Sequence, residues 1–119
     1  MAFSEHHADR IRRVFSEKGI PVREISMMGG LCIMVDDKMC CGLIRKKDSA
    51  QDYLMARVGP EAYEQCLSEP GALPMDFTGR PMIGFIFVGP EGFDMDGDLE
   101  AWVDRCLAYN PEAKSSKKS

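Results

Sequence analysis

Residues 27–44 read MMGGLCIMVDDKMCCGLI, eighteen positions that hold four methionines, three cysteines and a pair of glycines. Two apolar runs, 31–35 and 39–44, are divided by Asp36, Asp37 and Lys38. Short apolar runs broken by a polar pair form a β-hairpin, with Asp36-Asp37 as the central residues of the turn. In that register Val35 faces Lys38, Met34 faces Met39, Ile33 faces Cys40 and Cys32 faces Cys41. Alternation then assigns Leu31, Ile33, Val35, Cys40 and Ile44 to one face and Cys32, Met34, Met39, Cys41 and Leu43 to the other. Both faces are apolar, whereas an antiparallel sheet with one wet side carries polar residues there. The hairpin is therefore expected at the centre of a sheet, with its second face covered by the chain or by a partner.

The flanking sequence supplies the rest of that sheet. Upstream, Ser4 is placed to cap a first helix running to about Lys18, with Ala8, Ile11, Val14 and Phe15 on one face and Gly19 at its end. VREISMM (22–28) alternates as a half-buried strand. Downstream, YLMARV (53–58) is a further strand, and Gly59-Pro60-Glu61 opens a short helix that stops before Pro70-Gly71. MDFTGRPMIGFIFV (75–88) offers two strands around a Gly79-Arg80-Pro81 turn. A last helix from about Asp98 to Tyr109 puts Leu99, Trp102, Val103, Cys106 and Leu107 on one face. The order α-β-β-β-β-α-β-β-α predicts a two-layer α+β fold: an antiparallel sheet of about five to six strands with three helices.

Composition narrows the function classes. The chain has 119 residues, expected as one domain over 1–113 followed by a flexible Lys/Ser tail, 114–119. No apolar run approaches the ~18 residues needed to cross a bilayer. MAFSEHHADRIRR has acids and histidines where a secretion signal would be basic and then apolar. A cytoplasmic location is the expectation. Five cysteines without a CxxC pair suit reduced thiols better than a disulfide framework. The net charge is −4, and three of the positive charges are tail lysines (114, 117 and 118), which leaves −7 for residues 1–113. Such a body is a poor match for nucleic acid. Arg10, Arg12 and Arg13 with the Lys tail are the one set that would support a weak DNA contact.

No catalytic constellation emerges. Cys40 and Cys41 are neighbours in one strand and point to opposite faces, so they do not grip one ion together. Cys32 and Cys41 would meet, and with Met34 or Met39 they form a set suited to a soft, copper-like metal or to thiol sensing. That is the alternative to thiols and thioethers that simply fill space. Asp94, Asp96 and Asp98 resemble the start of a calcium loop, but Leu99 and Arg105 stand where glycine and glutamate are required; helix capping accounts for them better. His6 and His7, near the N-terminus, are expected as surface residues. Arg80 is expected to pair with a carboxylate such as Asp76.

Read in order, MMGGLCIMVDDKMCCGLI, LMARVGPEAYEQCLSEPGALPMDFTGRPMIGFIFV and LEAWVDRCLAY resemble the TfoX N-terminal domain family across roughly residues 5–110. RVGPEAY and PGALPMDFTGRPM are the most specific parts. The resemblance implies a small cytoplasmic bacterial protein with an architecture like that of type III secretion chaperones. In the two-domain TfoX/Sxy type it implies regulation of competence genes. Many members carry Asn-Gly where this chain has Asp36-Asp37. The chain stops at Ser119, so a stand-alone N-terminal domain is expected. The resemblance carries over no catalytic, cofactor or metal-binding residue. The expectation is thus a non-enzymatic, regulatory protein-interaction module without cofactor or metal, whose contact is either another protein or a second copy in a homodimer. Tyr53, Met55 and Arg57, which share one side of their strand, and Arg80 are the candidate interaction residues.

Overall fold

Asp36 and Asp37 both adopt left-handed backbone angles, with φ of 55° and 63°. That is the geometry of a type I′ turn, whose twist matches the strands it joins, and aspartate is among the few non-glycine residues that tolerate it. The turn joins β2 (Gly30–Val35) to β3 (Lys38–Arg45). In the computed structural model the described residues are 4–27, 30–45, 51–75 and 82–113.

The register begins as expected, with Val35 opposite Lys38 and Met34 opposite Met39. It then shifts by one residue between Ile33 and Met34, so Ile33 pairs with Cys41, Cys32 with Gly42, Leu31 with Leu43 and Gly30 with Ile44. Cys40 is the extra residue of a β-bulge. The shift corrects the expected face assignment. Cys41 and Leu43 turn into the core beneath the helices, where Cys40 also lies, and Ile44 turns to the other side.

Four more strands complete an antiparallel sheet in the order β1-β2-β3-β4-β6-β5. They are β1 (Arg23–Met27), β4 (Asp52–Arg57), β5 (Ala72–Pro74) and β6 (Phe85–Val88). The hairpin is central, as its two apolar faces require. β5 lies upstream of the expected strand in MDFTGRPM; residues 76–81, with the Gly79-Arg80-Pro81 turn and the Asp76–Arg80 pair, fall outside the described residues.

The helices α1 (Glu5–Glu17), α2 (Tyr63–Leu67), α3 (Pro90–Phe93) and α4 (Asp96–Tyr109) contribute to one core with the sheet. α3 raises the helix count from three to four. It is a single turn with Pro90 in its first turn and Gly89 extended before it, too short to leave a hydrophobic period. α1 buries Ala8, Ile11 and Phe15, and Gly19 (φ 70°) follows its end. α4 buries Leu99, Trp102, Val103 and Cys106, and Leu107 packs half-buried.

The second face of the sheet is apolar as well, and it is buried over the central strands while its outer ends at Ile25 and Leu73 are exposed. One straight cross-strand row spans all six strands: Ile25, Cys32, Gly42, Met55, Phe87 and Leu73. Within it Met55 lies over Gly42, where an added Cβ would come within 2.6 Å of the Met55 methyl and 2.5 Å of the Leu31 carbonyl oxygen. Cys32, Met34, Ile44, Met55 and Phe87 are all at most 6% exposed, and Met75, just after β5, joins their cluster. The doubly apolar hairpin is therefore covered on both sides within a single chain.

Candidate functional site

Strand alternation places Tyr53, Met55 and Arg57 together on the outer face of β4, as expected. Met55 is buried. The Tyr53 ring sits 5.9 Å from that of Phe87, and its hydroxyl accepts a hydrogen bond from Gln51 Nε2 at 3.0 Å. The Arg57 guanidinium lies near two rings, 5.2 Å from the Phe85 centroid and 5.9 Å from that of Tyr109. One of its nitrogens donates to the Met39 carbonyl at 3.4 Å. Arg80 lies outside the described residues, in the connection between β5 and β6.

The rim beside this row was not legible as a site. Five large apolar side chains are exposed among the described residues, and three of them flank the connection from β5 to β6. Leu73 is 44% exposed, Met82 38% and Ile83 60%. The Met82 amide donates to the Met75 carbonyl at 2.9 Å, which holds the returning chain beside the end of β5. This edge of the sheet has no outward N–H to offer an added strand. The Ala72 N–H is used on the Glu69 carbonyl, Pro74 has no N–H, and Leu73 pairs across the ladder with Phe87.

On the helix side, one polar cluster escaped sequence analysis. The Asp52 side chain is 0% exposed. It accepts from the Ser4 amide and faces His7 Nδ1, each at 2.8 Å, and it pairs with Arg45 Nε at 2.9 Å. Burial raises its pKa, but the hydrogen bonds from His7, the Ser4 amide and Arg45 outweigh burial and hold the carboxyl below the usual aspartate value. His7 is thus half-buried, with its ring edge-on to Phe93 at 5.3 Å, and not the surface residue expected. Ser4 stands at the N-cap position, yet its side chain makes no cap bond; its backbone serves Asp52 instead. The usable signal was Arg45 and Asp52, opposite charges bracketing a polar connection between two strands.

The sulfur set is taken apart by the bulge. Cys32 lies on the outer face opposite Gly42 and Cys41 on the helix side opposite Ile33, so the expected Cys32–Cys41 meeting does not occur. All five thiols are free and buried. Burial raises Cys32, Cys66 and Cys106, and hydrogen bonding with Cys40, followed by burial, raises Cys41. A raised pKa keeps a thiol protonated, and the thiolate is the nucleophile and the metal ligand. Among the described residues no group of three or more His, Cys, Asp or Glu converges to hold an ion.

Two of the three arginines on α1 are spent within the chain. Arg12 meets Glu5, Asp9 and Glu24, and its bidentate bond to Glu24 raises an already high pKa. Arg10 donates to the Phe93 and Asp94 carbonyls and to Asp96. Arg13 is exposed. Asp96 and Asp98 occupy the first turn of α4, where its dipole favours acids, although no side chain caps it.

Residues 10–109 match the family model described as TfoX N-terminal domain. No curated protein and no solved structure matches the chain.

Proposed function

From the premise that the chain belongs to the TfoX N-terminal domain family, we propose that it is a non-enzymatic regulatory module that works by binding another protein at the β5 rim. The regulation is of the kind that full-length TfoX regulators exert on competence genes. The observation that supports this reading is the exposure of Leu73, Met82 and Ile83: Leu73 is the last member of the apolar cross-strand row, and the Met82 amide is held on the Met75 carbonyl just after β5. Burying a large aliphatic side chain is worth about 1.5–3 kcal/mol, so finishing the burial of three half-exposed ones is a usable driving force. The partner is a folded protein presenting an apolar surface, because β5 offers no outward N–H to a strand. Tyr53 and Arg57 flank the contact. The raised thiol pKa values support the absence of a cysteine nucleophile. Free thiols and the absence of a described helix able to span a membrane support a cytoplasmic place of work.

The test uses the full chain with a photo-crosslinking residue at 83 in its native cytoplasm, and the same residue at the exposed Met95 as control. A protein captured from 83 but not from 95, purified, should bind the wild-type chain at least tenfold more tightly than the Leu73→Asp variant. Equal binding by Leu73→Asp refutes the rim as the contact. Light scattering that shows a dimer abolished by Leu73→Asp also overturns the reading, since the occupant would be a second copy.

A further inference from the structure

The two edges of the sheet are not alike. β5 offers no outward N–H, whereas β1 ends the sheet on the other side and pairs only with β2. Residues 23–26 of β1 are all exposed, and among the described residues nothing bonds to the outward amides and carbonyls of this strand. It carries no proline, and its pairing with β2 runs without a bulge. Such an edge is a template for another strand, and charged side chains are its usual protection. Here both charges are engaged within the chain. Glu24 accepts a two-pronged bond from Arg12 at 2.7 and 2.9 Å, and Arg23 lies 3.4 Å from Asp37.

The side chains of the edge select its occupant. Ile25, 37% exposed, is where the apolar cross-strand row of the outer face stops. An added strand completes that row only if it brings an apolar residue to the same face, and β1 of a second copy does so. Two antiparallel copies related by a two-fold axis normal to the sheet keep their outer faces on one side, and outward backbone groups then meet outward ones. Centred on Arg23 or on Glu24, the axis sets like charges face to face, which is destabilising. Centred on Ser26, it carries Arg23 and Glu24 past the end of the facing strand. Centred on Ile25, it sets Ile25 against Ile25, Glu24 against Ser26 and Arg23 against position 27, and no like charges are opposed. The apolar row then runs through both copies without a break.

We propose that β1 is the surface on which two copies of this chain pair, antiparallel about Ile25, into one continuous sheet. Two edges of five residues each bury less than a standard interface, so the dimer is weak, with a dissociation constant on the order of 100 µM. Sedimentation of the full chain at concentrations up to about 1 mM, well above that constant, measures it. The expected result is a monomer–dimer equilibrium. Ile25→Lys, which sets two ammonium groups against each other, should weaken it about tenfold, and Leu73→Asp at the far edge by less than about twofold. An Ile25→Cys variant reads the geometry independently. A short bismaleimide should join its chains into a covalent dimer, and leave as monomers both Leu73→Cys and the wild type, whose five cysteines are buried. A wild-type chain that stays monomeric throughout, a dimer that Ile25→Lys leaves unchanged, or equal cross-linking from position 73 would each overturn the proposal. A dimer lost in Leu73→Asp would overturn it too, because the second copy would then sit at the β5 rim. Pairing is measured on the chain alone and rim binding on a captured protein, so the two readings fail separately.

Discussion

Asp52 is one carboxylate that ties three segments together: the amide before α1, a ring on α1 and the guanidinium at the end of β3. A buried charge is tolerated only when its hydrogen bonds are complete. Replacing it by asparagine should lower stability by roughly 2–3 kcal/mol at neutral pH, since bonds to charged groups are worth about 1.5–3 kcal/mol. The pH dependence has a definite sign. The folded carboxyl titrates below the unfolded one, so the folded state binds fewer protons in acid. Its contribution is full above the unfolded value of about 3.9 and is lost as pH falls through the depressed folded value. Urea unfolding at pH 7 and pH 3 should show a stability gap between wild type and Asp52→Asn that narrows in acid; a gap that is constant or widens would exclude this role.

At the scale of the element, the hairpin was half legible. Its turn was readable because two polar residues between apolar runs leave few alternatives, and it sits at Asp36-Asp37. The bulge was not readable, because Cys40, Cys41 and Leu43 are apolar in either register and alternation cannot choose between two apolar faces. The choice is made by β4. Gly42 has to lie beneath Met55, where no Cβ fits, and that puts Leu43 opposite Leu54 in the helix-side core. The turn also makes a prediction. Left-handed φ is costly for aspartate and not for glycine. Asp37→Gly should raise stability by about 0.5 kcal/mol, net of the entropy that glycine adds to the unfolded chain and of the weak exposed Arg23 contact at 3.4 Å. Thermal unfolding checks it, and a fall in Tm would mean that the aspartate contacts outweigh backbone strain.

Across the whole molecule, five thiols are buried in two cores on opposite faces of one sheet, with Cys32 alone in the outer one. Their reactivity should follow global unfolding. An aromatic disulfide reagent should label none of the five in native protein within minutes and all five in denaturant; a single fast thiol in the native state would expose a reactive site that burial does not account for. Charge works at this scale too. Arg10 and Arg12 would be a nucleic-acid stripe if they were free, but acids and carbonyls brought from α3, α4 and β1 occupy them. Sequence alone placed three of the four α-helices, most strands, the turn and the apolar nature of both sheet faces, because hydrophobic period and glycine or proline breaks act over a few residues. Tertiary structure alone decided the strand register, the separation of Cys32 from Cys41, the Asp52 cluster and the exposed rim at Leu73, Met82 and Ile83. Each of those depends on which residues far apart in the chain come within a few ångströms, and a local pattern holds no record of that distance.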